Sequence, residues 1–120
     1  MAIQSKYLFK THPKVENEDL KSLPDVLERD FWEIYQLILK ADPHQCGGFP
    51  NHALKGELKG YRALEIDWEG VAYRLVYRVY EKPSPRRVLV ISFAEHDPAY
   101  EKAVTRVTNL RARSRLPLKQ

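Results

Sequence analysis

The apolar residues of this chain change period part-way along, and that change sets its fold class. They first fall at Leu20, Leu23, Leu27, Phe31, Ile34 and Ile38, in steps of 3, 4, 4, 3 and 4. This spacing traces one face of a helix. Ser22 and Pro24 interrupt it, so a short helix followed by a longer one is expected, and Asp42-Pro43 ends the second. From Arg62 the period is two. Arg62, Leu64, Ile66 and Trp68 alternate with Ala63, Glu65, Asp67 and Glu69, as in a half-buried strand with a polar face. Glu69-Gly70 is a turn, and residues 72–80, dense in valine and tyrosine, predict a second strand. Lys82-Pro83-Ser84-Pro85 makes a hairpin loop. Val88 to Phe93 is almost wholly apolar, as a central strand covered on both faces is.

Shorter signals complete the order. Ile3 to Phe9 is a candidate strand, ended by Thr11-His12-Pro13, which also starts a helix. Residues 43–60 read as a loop, punctuated by Pro43, Gly47, Gly48, Pro50, Gly56 and Gly60. Such a long irregular stretch in a small domain is often functional. Asp97-Pro98 opens a last short helix through Tyr100, Ala103, Val104 and Val107. The order is β-α-α-β-β-β-α, an α+β chain whose hairpins over 62–93 make the sheet antiparallel-rich. Its 120 residues, 1–120, fit a single domain.

Composition narrows the setting. Hydrophobic residues are 43% and charged residues 30%, which argues against global disorder. No apolar run approaches the ~20 residues of a membrane helix. Residues 1–6 do not open a signal peptide. The single cysteine, Cys46, excludes an internal disulfide and a Cys-rich zinc site. The expectation is a soluble cytoplasmic protein with no membrane partner. Net charge is +4, from 20 basic and 16 acidic residues, and it is unevenly placed. Residues 16–33 carry Glu16, Glu18, Asp19, Asp25, Glu28, Asp30 and Glu33 against only Lys21 and Arg29. Residues 103–120 carry Arg106, Arg111, Arg113, Arg115 and Lys119 without an acid. A solvated basic tail at about 108–120 is expected, suited to a polyanion or an acidic partner.

Two stretches carry a resemblance. Leu54-Lys55-Gly56-Glu57-Leu58-Lys59-Gly60-Tyr61-Arg62, followed by Tyr73-Arg74-Leu75-Val76-Tyr77-Arg78-Val79, resembles the RelE/ParE superfamily of bacterial type II toxins. The strand Val88 to Phe93 and the ending His96-Asp97-Pro98-Ala99-Tyr100 fit the same pattern, over about residues 7–107. The resemblance implies a RelE-like fold: a small sheet packed against an N-terminal helical hairpin. It implies a toxin held inactive by a cognate antitoxin protein. Many such toxins are mRNA interferases, ribosome-dependent endoribonucleases that cut translated mRNA in the A site. A ParE branch instead inhibits DNA gyrase, and a non-catalytic RelE-fold binding protein is the third reading.

Metal-free RNA cleavage needs a base for the 2′-OH proton, an acid for the leaving 5′-oxygen, and cations for the charge on the phosphorane. Histidine suits either proton role, because its ordinary pKa lies near neutrality. Similarity to the YafQ branch selects His52, before the Leu54-Lys55-Gly56 stretch, and His96, four residues before Tyr100. It implies His52 as general base and His96 as general acid, the order being reversible. Tyr100 would stack on a base or orient the phosphate. Arg74 occupies the place of the arginine that binds the scissile phosphate, a task suited to bidentate guanidinium pairing. Lys55, Lys59 and Arg62 would hold RNA backbone. Where that branch carries a further histidine, this chain has Glu65; by its spacing alone Glu65 reads as a solvated strand residue. His12 and His44 read as structural. His44, Cys46 and His52 match no strong metal-ligand spacing, and no metal or cofactor is expected.

Overall fold

The computed structural model of the chain describes residues 5–115. Strand β1 (Leu8–Thr11) leads into a short helix α1 (residues 13–22). Ile3 and Gln4, the start of the expected first strand, lie outside the described residues. Pro24 keeps the preceding Leu23 extended, at φ −88° and ψ 156°, because its ring bars the helical region to that residue. The chain then restarts as the long helix α2 (residues 25–41), giving the expected pair.

Helix α2 departs from the expected face. Its middle, Phe31–Tyr35, is a π turn, whose i→i+5 bonding inserts an extra residue. The buried positions therefore run Leu27, Phe31, Tyr35 and Leu39, in steps of four. Ile34, expected inside, is 39% exposed, and Ile38 is only partly buried. A uniform helical period does not anticipate that insertion.

Residues 43–60 are not wholly loop. They contain a three-residue strand β2 (Asn51–Ala53) flanked by 3-10 turns at Cys46–Gly48 and Gly56–Leu58. The antiparallel strands β3 (Tyr61–Trp68), β4 (Val71–Tyr80) and β5 (Arg87–Glu95) follow. The sheet order is β1-β5-β4-β3-β2. β1 runs parallel to β5 and every other pair is antiparallel, so the sheet is mixed and antiparallel-rich. Helix α3 (His96–Arg115) closes the chain.

The last helix is long, not short. Arg106, Val107 and Leu110 continue its inner face, and no breaker intervenes before Pro117. Residues 108–115 of the expected tail are thus helical; Lys119 lies outside the described residues.

Each face of the sheet buries a separate cluster. On one, Leu64, Ile66, Tyr73, Leu75, Tyr77, Val88, Val90 and Phe93 pack under α1 and α2. On the other, Tyr61, Val76, Ile91 and Ala94 meet Ala99, Ala103 and Val107 of α3. β5 is covered on both sides, as its continuous apolar run predicts. A bulge opposite Val76 and Tyr77 leaves Ile91 unpaired between Ser92 and Val90. It turns both Ile91 and Ser92 toward α3, where Ser92 Oγ donates to the Ala99 carbonyl at 2.8 Å. That bond fixes the first turn of α3 on the sheet.

Candidate active site

Strand alternation decides which side chains can meet. On β4, Tyr73, Leu75, Tyr77 and Val79 enter the core under α1 and α2, so Arg74, Val76 and Arg78 face α3. Glu65 stands directly across from Arg74, and His52 across from Ala63, on the same face. Above them the first turn of α3 carries His96 and Tyr100, one helical turn apart. His52, Arg74, His96 and Tyr100, drawn from β2, β4 and α3, share this face.

Their contacts form a line. His52 Nδ1 lies 3.0 Å from Glu65 Oε2. An ionised carboxylate only accepts, so Nδ1 carries the proton and Nε2 of the neutral ring is a free acceptor. The other Glu65 oxygen, Oε1, is 3.7 Å from an Arg74 guanidinium nitrogen. Arg74 Nη1 donates to the Tyr73 carbonyl at 2.9 Å, and its Nε is buried without a partner. Burial raises the Tyr100 hydroxyl pKa, and the neighbouring Arg74 charge opposes that rise without cancelling it. The His96 and Tyr100 rings meet edge to face at 4.9 Å. His96 Nδ1 is 2.7 Å from Asp97 Oδ1, leaving its Nε2 free as in His52. The imidazoles are open to solvent, His52 at 46% and His96 at 49% side-chain exposure. The arrangement offers two accessible imidazoles, each held by a carboxylate, and one under-bonded guanidinium.

Glu65 is the residue that sequence reasoning passed over. Its alternation with Leu64 and Ile66 marks it as facing away from the helix pair. The cross-strand register, which puts Arg74 opposite it and His52 beside it, is not visible in a linear pattern.

The three expected RNA contacts separate. Lys55 and Lys59 are exposed on either side of the Gly56–Leu58 turn, whose Leu58 packs under α3. Arg62 does not join them. It alternates onto the opposite face, where it donates to Asn51 Oδ1 and reaches the His44 carbonyl at 3.5 Å. His44 itself pairs with Glu81 at 2.8 Å. Cys46 is fully buried beside Tyr77, and that burial pushes its thiol pKa up. Among the described residues no three His, Cys, Asp or Glu side chains gather as a metal would need.

No protein-family profile matches this sequence, and no curated protein is significantly similar to it. Solved structures do match. A mutant of the E. coli toxin RelE in the free state superposes with a TM-score of 0.58 at 20% identity, over 86% of this chain and 98% of that one. The YoeB/ParE toxin from Agrobacterium tumefaciens does so with a TM-score of 0.54 at 21% identity, over 74% and 98%. This is the RelE/ParE fold. The resemblance carried by the two sequence stretches and the architecture agree, and the α+β expectation holds. Within the RelE/ParE fold of this chain, the sheet face under α3 brings the accessible imidazoles of His52 and His96 together with Arg74 and Tyr100.

Proposed function

We propose that this chain is the toxin of a type II toxin–antitoxin pair, acting as a ribosome-dependent endoribonuclease on translated mRNA. The observation that carries the reading is the line from His52 through Glu65 to Arg74, beneath Tyr100 and His96. The two solved structures named above are both of toxins, which supports the coarser part of it. A cognate antitoxin is the protein partner this reading requires.

In the proposed reaction the ribose 2′-OH attacks the adjacent phosphorus and gives its proton to the free Nε2 of one histidine. The other, protonated, histidine gives a proton to the leaving 5′-oxygen. The products are a 2′,3′-cyclic phosphate and a 5′-hydroxyl. His52 is the base and His96 the acid, with the reverse pairing open to the same side chains. Arg74, whose Nη2 lies 3.7 Å from Glu65, meets the charge that builds on the phosphorane oxygens. Tyr100 orients the phosphate or stacks on a base; Lys55 and Lys59 hold the flanking backbone. No helix among the described residues is long and apolar enough to cross a membrane. Action on translated mRNA sets the proposed site of action in the cytoplasm.

Induced expression in a bacterium, with 5′-end mapping of mRNA, tests this. Growth arrest with in-frame cuts in translated mRNA is expected from the wild type, and neither from His96→Ala. Arrest with intact mRNA and a DNA-damage response would replace this reading with gyrase inhibition. Soluble protein without arrest would replace it with a binding role.

A further inference from the structure

We propose that Arg78, Tyr80 and Arg87 form a second RNA contact, a track that holds the strand beyond the scissile phosphate. The proposal rests on the ribonuclease reading above. The three residues lie side by side on β4 and β5, with Tyr61 of β3 next to them: Tyr61 pairs with Arg78 and Tyr80 with Arg87. Arg78 Cζ stands 5.4 Å from the Tyr61 ring centre and 4.9 Å from that of Tyr80. Arg87 Cζ stands 4.4 Å from the same Tyr80 ring. One aromatic ring therefore serves two guanidiniums.

The charge on this patch is not neutralised locally. Arg74, Arg86 and Arg106 each face a carboxylate. Arg78 and Arg87 face none within ion-pair distance among the described residues. Arg87 reaches only the Pro83 and Pro85 carbonyls, at 3.3 and 3.5 Å. Two like charges on one ring repel, and an anion between them relieves that repulsion. A guanidinium stacked on a ring keeps its in-plane donors free for phosphate, and its exposed plane suits a base. All three residues are partly exposed.

The patch also lies in register with the candidate active site. Arg78 follows Arg74 by four residues on one strand face, about 13 Å away at ~3.3 Å per residue. Lys59 extends it, since the next residue, Gly60, lies against Arg78: a Cβ there would stand 3.9 Å from Cζ. Cations at both ends of one strand face, with rings interleaved at one end, fit an extended single strand better than an acidic peptide, which gains nothing from the rings.

The test is binding of a fluorescein-labelled single-stranded RNA dodecamer to the full chain, followed against salt. Arg78→Gln/Arg87→Gln should weaken binding several-fold and flatten the log–log salt slope by about 0.7 for each phosphate that is no longer neutralised. Lys10→Gln/Lys21→Gln, removing two exposed charges elsewhere, should change neither. Matching far-ultraviolet circular dichroism and melting curves establish that both variants fold. If Arg78→Gln/Arg87→Gln does not fold, Arg78→Lys/Arg87→Lys, which keeps charge and loses the fork, replaces it and should still weaken binding. Unchanged affinity and slope would overturn the track and leave the cleavage reading standing, because that reading is judged by mRNA cuts in cells. Equal losses in both double variants would reduce the effect to net charge and overturn it. Displacement by poly-glutamate as effective as by unlabelled RNA would reassign the face to an acidic protein.

Discussion

Two arginine–carboxylate pairs in this molecule have opposite bonding. Arg106 on α3 and Asp19 on α1 are both buried, at 4% and 1% exposure. Arg106 donates to both Asp19 oxygens, at 2.7 and 2.9 Å, and to the Ile91 carbonyl at 2.8 Å. Asp19 also accepts from the Phe93 amide and from Lys102. Arg74 and Glu65, by contrast, meet at 3.7 Å, with Arg74 Nε unbonded. The saturated pair has nothing left to offer a ligand and ties helix to helix. The unsaturated pair leaves the part-buried Arg74 guanidinium loosely engaged on the face that also carries His52 and Tyr100. Bonding completeness, more than charge, separates the structural pair from the candidate functional one.

The largest effect should come from breaking the saturated pair. Asp19→Ala leaves a buried, unpaired guanidinium and should cost about 3–5 kcal/mol in chemical denaturation. Replacing both partners, Asp19→Leu with Arg106→Met, should recover much of that loss, because an apolar pair needs no desolvation. A cost under about 1 kcal/mol for Asp19→Ala would remove the distinction, since exposed pairs are worth that little. Arg74→Ala should behave in the opposite sense. Its unfolding midpoint should stay near that of the wild type, while mRNA cleavage falls on the order of 10²–10³-fold, the usual cost of one charge-stabilising donor.

Glu65→Gln sharpens the comparison within the unsaturated pair. An amide can present either an acceptor or a donor to His52 Nδ1, so the ring loses its fixed tautomer. Cleavage should fall up to about 10²-fold, the scale of a misplaced reacting group, with the melting temperature preserved. Its pH–rate profile should change shape where that of Arg74→Ala keeps the wild-type shape. Identical profiles would show that Glu65 only supports the sheet.

Much of this architecture was legible along the chain. Leu20 to Phe31 marked the helix pair, Pro24 its break, and Leu64, Ile66 and the run from Val88 the sheet. What stayed hidden depends on non-local geometry. Ile34 left the core because a π turn shifts the phase of α2, which a fixed period cannot register. Asp19 looked like part of an acidic surface, and Arg106 like the start of a basic one. Yet Val15 and Asp19 are both buried on α1, and Ala99, Ala103 and Arg106 are all buried on α3. An opposite charge at a core position of each helix was the available signal of a buried pair. For the candidate site, His52, Arg74, His96 and Tyr100 were reachable only through resemblance. Their common face follows from a cross-strand register that alternation alone does not set.

The smallest expected effect lies at the edge of the saturated pair. Burial, then the nearby positive charges of Arg106 and Lys14, lower the pKa of His12, against a weaker pull from Asp19 and Glu18. Its Nδ1 accepts from the Lys14 amide at 3.1 Å, a bond available only to the neutral ring. The unfolded chain thus takes up a proton at a higher pH than the folded one. By linkage, acidification through the ordinary histidine range should destabilise the fold, and the loss should level off below the depressed folded value. His12→Gln, whose amide oxygen can still accept from Lys14, should flatten that part of the stability curve. Denaturant midpoints of wild type and variant between pH 7.5 and about pH 5 measure the difference, the lower limit keeping most carboxylates ionised. A variant that loses stability in parallel with the wild type would mean that His12 is not held neutral beside Arg106. The positive charge at the saturated pair would then reach no further than Asp19.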